Sequence, residues 1–244
     1  MLNRERFLRQ LDICPPEKLA FPITVIGAGA IGSATVLTLA KMGCSNITVW
    51  DHDILEEHNI PNQICRPCCV GEPKVEALGA LTLDLAGVSL KARREEYRGQ
   101  RLSGVVIAAV DSMSTREEIW GRAKLNPAVP LLLDARMGGE LARIYAINPM
   151  NPDEASFYEE NVYPVSEAEV LPCSARAIIY CVSIVGGLVA LEVKNYAIGR
   201  TVAREALFDL ATLRLVIASA VPHRASFATD CLPSPELPVW RHVQ

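Results

Sequence analysis

Four apolar residues, Ile23 to Ile26, run straight into GAGAIG, and a helix-forming stretch from Ile31 to Met42 follows, closed by Gly43. No other segment constrains the fold as tightly. Gly27, Gly29 and Gly32 allow a sharp turn and let backbone amides approach a phosphate at the helix N-terminus. Gly43 suits a left-handed cap. The segment implies a nucleotide without saying which one. The next apolar run, NITVW (Asn46 to Trp50), leads to Asp51, 19 residues beyond Gly32, where a carboxylate reaches ribose hydroxyls.

The order of elements around this turn predicts an α/β fold. Asn3 to Ile13 has helical spacing, ended by Pro15 and Pro16. After a polar loop to Pro73, a helix is expected over Lys74 to Leu85, and strands over Val88 to Ala92 and Val105 to Val110. A helix near Thr115 to Leu125 and strands at Val129 to Asp134 and Leu141 to Ile147 come next. The alternation predicts a Rossmann-like, mainly parallel sheet with helices on both faces and additional C-terminal strands. Pro149 to Pro172 is expected to be an irregular crossover loop over the active face. A long helix from Ser174 to about Ile198 and a strand from Leu213 to Ala220 then complete a domain spanning 1–220. Residues 221–244 read as a C-terminal tail.

Composition excludes several classes. A formal charge of -4 over 244 residues provides no footprint for nucleic acid. The N-terminus is charged where a signal peptide would be apolar, and the longest apolar stretch, Ala177 to Leu191, falls short of the roughly 20 residues of a membrane span. The expectation is a cytoplasmic protein whose partners are proteins or small molecules. CRPCC (Cys65, Cys68, Cys69) offers one CxxC and no second pair for a tetrahedral zinc site. Cys181 reads as core, Cys14, Cys44 and Cys231 as loop or edge residues, and the four histidines are too scattered for a catalytic role.

An NAD-dependent oxidoreductase and an ATP-dependent adenylating enzyme could both use the glycine turn and Asp51. Lys74 opens a helix and Asp111 follows the C-terminal end of a strand, which puts a cation and an acid on the ligand-binding edge of the sheet. Lys74 can balance phosphate charge and Asp111 can hold magnesium, neither of which nicotinamide chemistry requires.

The motifs in order resemble the ThiF/MoeB and ubiquitin-activating enzyme family over most of residues 1–200. RFLRQ is similar to the family's leading arginine motif, GAGAIG to its nucleotide loop, and DHD (Asp51, Asp53) with Asn59 and Gln63 to its ribose and pocket stretch. GEPK and VDSMSTR are similar to its lysine and aspartate motifs. The resemblance implies that ATP and Mg2+ are used to adenylate the C-terminal glycine of a ubiquitin-like or sulfur-carrier protein. It further implies ribose binding by Asp51, phosphate binding by Lys74, magnesium on Asp111, and a pocket lined by Asn59 and Gln63. In a homodimer, Arg9 would reach the partner's phosphates, and a conjugating enzyme would be a further partner. Asn62 stands where the family usually has a phosphate-binding arginine, with Arg66 and Arg116 as candidate replacements.

Cys173, in LPCSAR, lies where the family places a cysteine before its last long helix. A helix N-terminus and Arg176 would favour its thiolate, which makes it the candidate nucleophile. A half-buried structural thiol is the alternative, and a catalytically inactive dimeric scaffold is an alternative for the whole chain.

Overall fold

The computed structural model describes residues 4–162 and 178–221, the side chains of the last four apart. Cys173, Arg176, Cys231 and the tail from 222 lie outside the described residues.

The first strand, β1 (Ile23–Ile26), is buried at all four positions, as a strand covered on both faces must be. It feeds α1 (Ala30–Met42), which Gly43 ends at φ 103. After β2 (Ile47–Trp50), helix α2 (Lys74–Ala86) ends at Gly87 in the left-handed region, and the short β3 (Lys91–Arg93) follows. Then come β4 (Val105–Ala108), α3 (Met113–Ala123), β5 (Leu131–Gly138) and β6 (Leu141–Ile147). The chain continues through α4 (Pro152–Glu159), α5 (Ile179–Ala197), β7 (Val202–Asp209) and β8 (Arg214–Val221).

All eight strands form one sheet in the order β3-β2-β1-β4-β5-β6-β7-β8. From β3 to β5 neighbours are parallel, and from β5 to β8 they are antiparallel. β1 has β2 on one side, with Ile23 opposite Ile47, and β4 on the other, with Ile23 opposite Val105. The strand order reverses between β1 and β4, so a crevice opens outside their carboxyl ends, the usual ligand site of such sheets.

Two apolar layers hold the sheet. Ile31, Val36 and Leu39 of α1, Val75 and Leu78 of α2, and Val185 and Val189 of α5 pack on one face against Val25, Ile107 and Leu133. Ile119 and Trp120 of α3 and Tyr158 of α4 pack on the other, against Ile26, Val106 and Leu132. Each fully buried aliphatic contributes about 1.5–3 kcal/mol before the entropy of ordering is subtracted. α5 has the length and composition to cross a membrane, but half of it is buried inside the domain. It crosses α1 closely, since a Cβ added at Gly186 would lie 2.8 Å from that of Ala34.

The structure differs from the sequence reading in several places. The leading segment is a 3₁₀ helix, Arg4–Gln10, not an α-helix to Ile13. The stretch expected to be irregular from Pro149 contains α4. Asn151 caps it by accepting from the Asp153 and Glu154 amides at 3.0 and 3.4 Å, and Pro152 occupies the first turn, where its missing N–H costs nothing. β7 is an additional strand: VAREALFD is rich in helix formers, and its pairing with β6 and β8 makes it extended. Cys14 and Cys44 belong to the core, 3% and 0% exposed, rather than to loop edges. Burial, with Cys14 nearby, pushes the Cys44 thiol up to about 12.

Candidate functional site

Three glycines shape the turn after β1, each for a different reason. Gly27 has φ 99, and a Cβ there would meet the Ala109 carbonyl oxygen at 2.4 Å. Gly32 has ordinary helical geometry, yet its Cβ would lie 1.9 Å from the Gly27 carbonyl oxygen, so α1 can approach its own turn only without a side chain. A Cβ at Gly29 would meet nothing within 4 Å, so this position faces open space at the start of α1. A phosphate can approach the first-turn amides of α1 through that space.

Asp51, half-buried beyond β2, ties the turn to the following loop. Its Oδ2 accepts from the Ala28 amide at 2.7 Å, and its Oδ1 accepts from the Asp53 amide at 2.8 Å. Lys74 opens α2, and its side chain, 11% exposed, donates through Nζ to Asp53 Oδ2 at 2.7 Å. Burial works against the Asp53 charge, but the Lys74 hydrogen bond and charge, with His52 beside them, hold its carboxyl below the usual carboxylate range. The Lys74 amide also donates to the Asp53 carbonyl at 3.0 Å, so the two residues are bound through both backbone and side chains.

The loop between them closes over α1. Its Ile64 amide donates to Ser33 Oγ at 3.0 Å. Asn59 is buried, and its Oδ1 accepts from the Glu56 amide at 3.0 Å, so its side chain holds the loop's own 3₁₀ turn. The side-chain carbonyls of Asn62 and Gln63 are buried without a hydrogen-bond partner. Buried polar atoms are normally satisfied, and this pair fits a pocket completed by a polar ligand.

Asp111 lies three residues past β4, exposed, with no hydrogen bond or ion pair among the described residues. It immediately precedes Ser112, which caps α3 by accepting from the Thr115 amide at 3.3 Å. The glycine turn, Asp51, Lys74 and Asp111 thus share the carboxyl edge of the sheet. Asp51, His52 and Asp53 bring possible ligand atoms within 4.8 Å of one another, but Asp51 already accepts two amides and Asp53 already pairs with Lys74. Of the three aspartates Asp51, Asp53 and Asp111, Asp111 alone has a carboxylate with no hydrogen bond or ion pair among the described residues, and such a carboxylate can take a hard cation.

Arg9 is elsewhere. Its 3₁₀ segment packs on the far end of α1: Gln10 Nε2 donates to the Met42 carbonyl at 2.7 Å, and Phe7 lies against Gly43. The 13 residues of α1 separate that end from the glycine turn by about 20 Å. Neither candidate replacement for the missing arginine is free. Arg66 pairs with Asp84 at the end of α2, and Arg116, 5% exposed, donates to Asp134 and to the Val110 carbonyl.

Sequence reasoning missed the acid that receives Arg116. Asp134 is completely buried on β5. Its Oδ1 accepts from Arg116 Nε at 3.0 Å, and its Oδ2 accepts from Arg136 Nε at 2.8 Å and from the Tyr158 hydroxyl at 2.9 Å. Burial, with the Asp134 charge alongside, pushes the Tyr158 phenol well above its ordinary value, so it remains a donor. A carboxylate closing the apolar run Leu131 to Leu133 was the available signal, since a buried charge must be paired.

The chain is similar to a molybdopterin-synthase adenylyltransferase of Haemophilus influenzae, 28% identical over 204 residues that cover 78% of this chain and 80% of that one. It is also similar to a SAMP-activating enzyme E1 of Haloferax volcanii, 31% identical over 108 residues, 40% of this chain and 39% of the other. A crystal structure of PaaA superposes with a TM-score of 0.70 at 20% identity, covering 88% of this chain and 72% of PaaA, which carries the fold alone. The ThiF family model matches residues 18–231, and the chain belongs to the ThiF family.

Proposed function

We propose that the chain uses ATP to adenylate the C-terminal carboxylate of a ubiquitin-like or sulfur-carrier protein ending in glycine. The observation that carries this reading is the convergence on one sheet edge of the open Gly29 turn, Lys74 and Asp111, which has no ion pair among the described residues. The names of the two relatives, an adenylyltransferase and an activating enzyme, support it. A nicotinamide enzyme would need neither the lysine nor the acid.

In the reaction, a carboxylate oxygen of the carrier forms a bond to the α-phosphorus of ATP, the bond from that phosphorus to the pyrophosphate oxygen breaks, and pyrophosphate leaves. First-turn amides of α1 orient the phosphates, and Lys74 turns from Asp53 toward the charge that develops on them. Asp51 accepts from the ribose hydroxyls, and Asn62 and Gln63 offer their amides to the pocket. Magnesium held through Asp111 would neutralise phosphate oxygens when bound. The test is ATP–pyrophosphate exchange, dependent on magnesium and on a candidate carrier. Nicotinamide binding in its place would overturn the reading, and ATP binding without exchange would mark an inactive scaffold.

The two finer steps concern Arg9 and Cys173. An arginine about 20 Å from its own glycine turn can serve a phosphate only in another chain, so the reading includes a homodimer with Arg9 acting across it. Arg9→Ala should lose exchange while remaining dimeric. Mixing it with Asp111→Ala subunits should return about a quarter of wild-type activity, because half the dimers are mixed and each of these holds one complete site. No recovery after confirmed subunit exchange would remove Arg9 from the active site.

Cys173 would then take the acyl group from the adenylate as a thioester, releasing AMP, and hand it to a conjugating enzyme. The adduct should be cleaved by excess thiol or hydroxylamine, which take the acyl group and free the cysteine, should resist a phosphine reductant, and should be absent from Cys173→Ala, in which exchange persists. An adduct that survives in that variant would move the nucleophile elsewhere.

A further inference from the structure

We propose that Arg116 is a positioning residue for Asp111, braced by Asp134; the inference rests on the reading of Asp111 as the magnesium-binding acid. Asp111 is exposed and its carboxylate makes no hydrogen bond or ion pair among the described residues, so no polar contact sets its direction. Its backbone is held on both sides by one residue. Arg116 Nη2 donates to the Val110 carbonyl, and the Arg116 amide donates to the Ser112 carbonyl at 3.2 Å. The Val110 carbonyl shares a planar peptide unit with the Asp111 nitrogen, so holding that oxygen fixes the plane from which Asp111 departs. The bond to Ser112 restrains the turn into which it continues.

The brace is itself buried and hydrogen-bonded. Arg116 Nε donates to Asp134 Oδ1 at 3.0 Å, and the other oxygen of Asp134 is held by Arg136 and Tyr158. Asp134 sits on β5 opposite Ala108, the last residue of β4, so the support comes from the strand beside the one that ends in the Asp111 turn. Arg136 Nη1 also donates to the Asn161 carbonyl at 2.9 Å, which anchors the same hub to the chain beyond α4. A buried ion pair of this kind is seldom needed for stability, because apolar side chains of similar volume often do as well. What a guanidinium adds is a rigid fork that reaches the Asp134 carboxylate and the Val110 carbonyl together, which a lysine cannot span. Residues that orient a metal ligand without touching the metal typically alter metal affinity by about 10–100-fold when changed.

The test compares ATP affinity by calorimetry in magnesium and in EDTA, for wild type, Arg116→Lys, Asp111→Asn and the double variant. Arg116→Lys should keep the affinity measured in EDTA and lose about tenfold of the enhancement that magnesium provides. Hydrogen exchange of the ligand-free protein should quicken over residues 110–116 and remain as in wild type over α2. In the Asp111→Asn background the lysine should remove no further enhancement, because Arg116 acts only through that acid. A general structural role would lower both affinities together, and that result overturns the proposal. So does a folded Arg116→Lys with full magnesium enhancement while Asp111→Asn has lost it. If Asp111→Asn keeps the enhancement, the metal reading of Asp111 fails instead, and the proposal falls with it. Should Arg116→Lys not fold, Asp134→Asn, which retains an acceptor at the same place, must reduce the magnesium enhancement selectively, or the hub is structural only.

Discussion

Asp111→Ala should reduce magnesium-dependent ATP–pyrophosphate exchange by about a thousandfold, since a catalytic metal contributes several kcal/mol of charge stabilisation at the phosphates. The fold should be unaffected. Asp111 follows β4, is exposed, and makes no bond among the described residues, so its carboxylate contributes no packing whose loss could unfold the domain. Thermal unfolding should therefore match wild type, and ATP should still bind weakly without magnesium through the glycine turn and Lys74. Full exchange in a well-folded Asp111→Ala would move the metal to Asp51 or Asp53, whose oxygens are already engaged by backbone amides and Lys74. The control is Asp53→Ala, which frees Lys74 without removing a cation ligand and should have a much smaller effect.

Gly32→Ala sets two effects of opposite sign against each other. Alanine is a better helix former than glycine by about 0.8–1 kcal/mol, so propensity alone predicts a more stable α1. The added Cβ would lie 1.9 Å from the Gly27 carbonyl oxygen, and backbone cannot rotate away as a side chain would. Overpacking of this kind costs about 1–3 kcal/mol, and a contact so short belongs at the upper end, so the clash wins. The expected net loss is about 2 kcal/mol, a fall of about 4–8 °C in Tm for a domain of this size. ATP affinity should fall by about a hundredfold, because displacing the turn breaks amide–phosphate bonds worth about 1.5–3 kcal/mol each. Gly29→Ala separates the two losses. Its Cβ meets nothing within 4 Å, so stability should hold while nucleotide affinity drops through occupation of the phosphate space. A Gly32→Ala protein as stable as wild type, with normal ATP affinity, would show that the turn yields easily and that the glycine is not needed for close approach.

Much of the site was legible in the sequence because it depends on local rules. The apolar run from Ile23, glycines at a turn and a helix beginning at Ala30 produce the β1–α1 unit whatever surrounds it, and Gly43 takes the left-handed cap because glycine does so without strain. Lys74 at the start of α2 and Asp111 just beyond β4 follow from the same alternation of periods. Where that alternation was weak, reading along the chain failed. VAREALFD is a strand because Tyr145 pairs with Glu205 and Leu207 with Val216, and nothing within the segment announces those partners. α4 was hidden among prolines that, at a helix start, do no harm.

Local sequence was thus enough for the nucleotide turn, for the succession of elements in the parallel half of the sheet, and for the acids and lysine at its carboxyl edge. Where Arg9 and Arg116 lie was decided by packing. Arg9 precedes Gly27 by little in sequence, yet the chain enters β1 only after its leading 3₁₀ segment has docked on the far end of α1, so the whole length of that helix separates the two. Arg116 looked available for phosphate until Asp134, 18 residues further on and on another strand, proved to hold it. A side chain's choice between solvent, ligand and buried partner depends on which groups the fold brings within about 3 Å, and that is a property of contacts between distant segments.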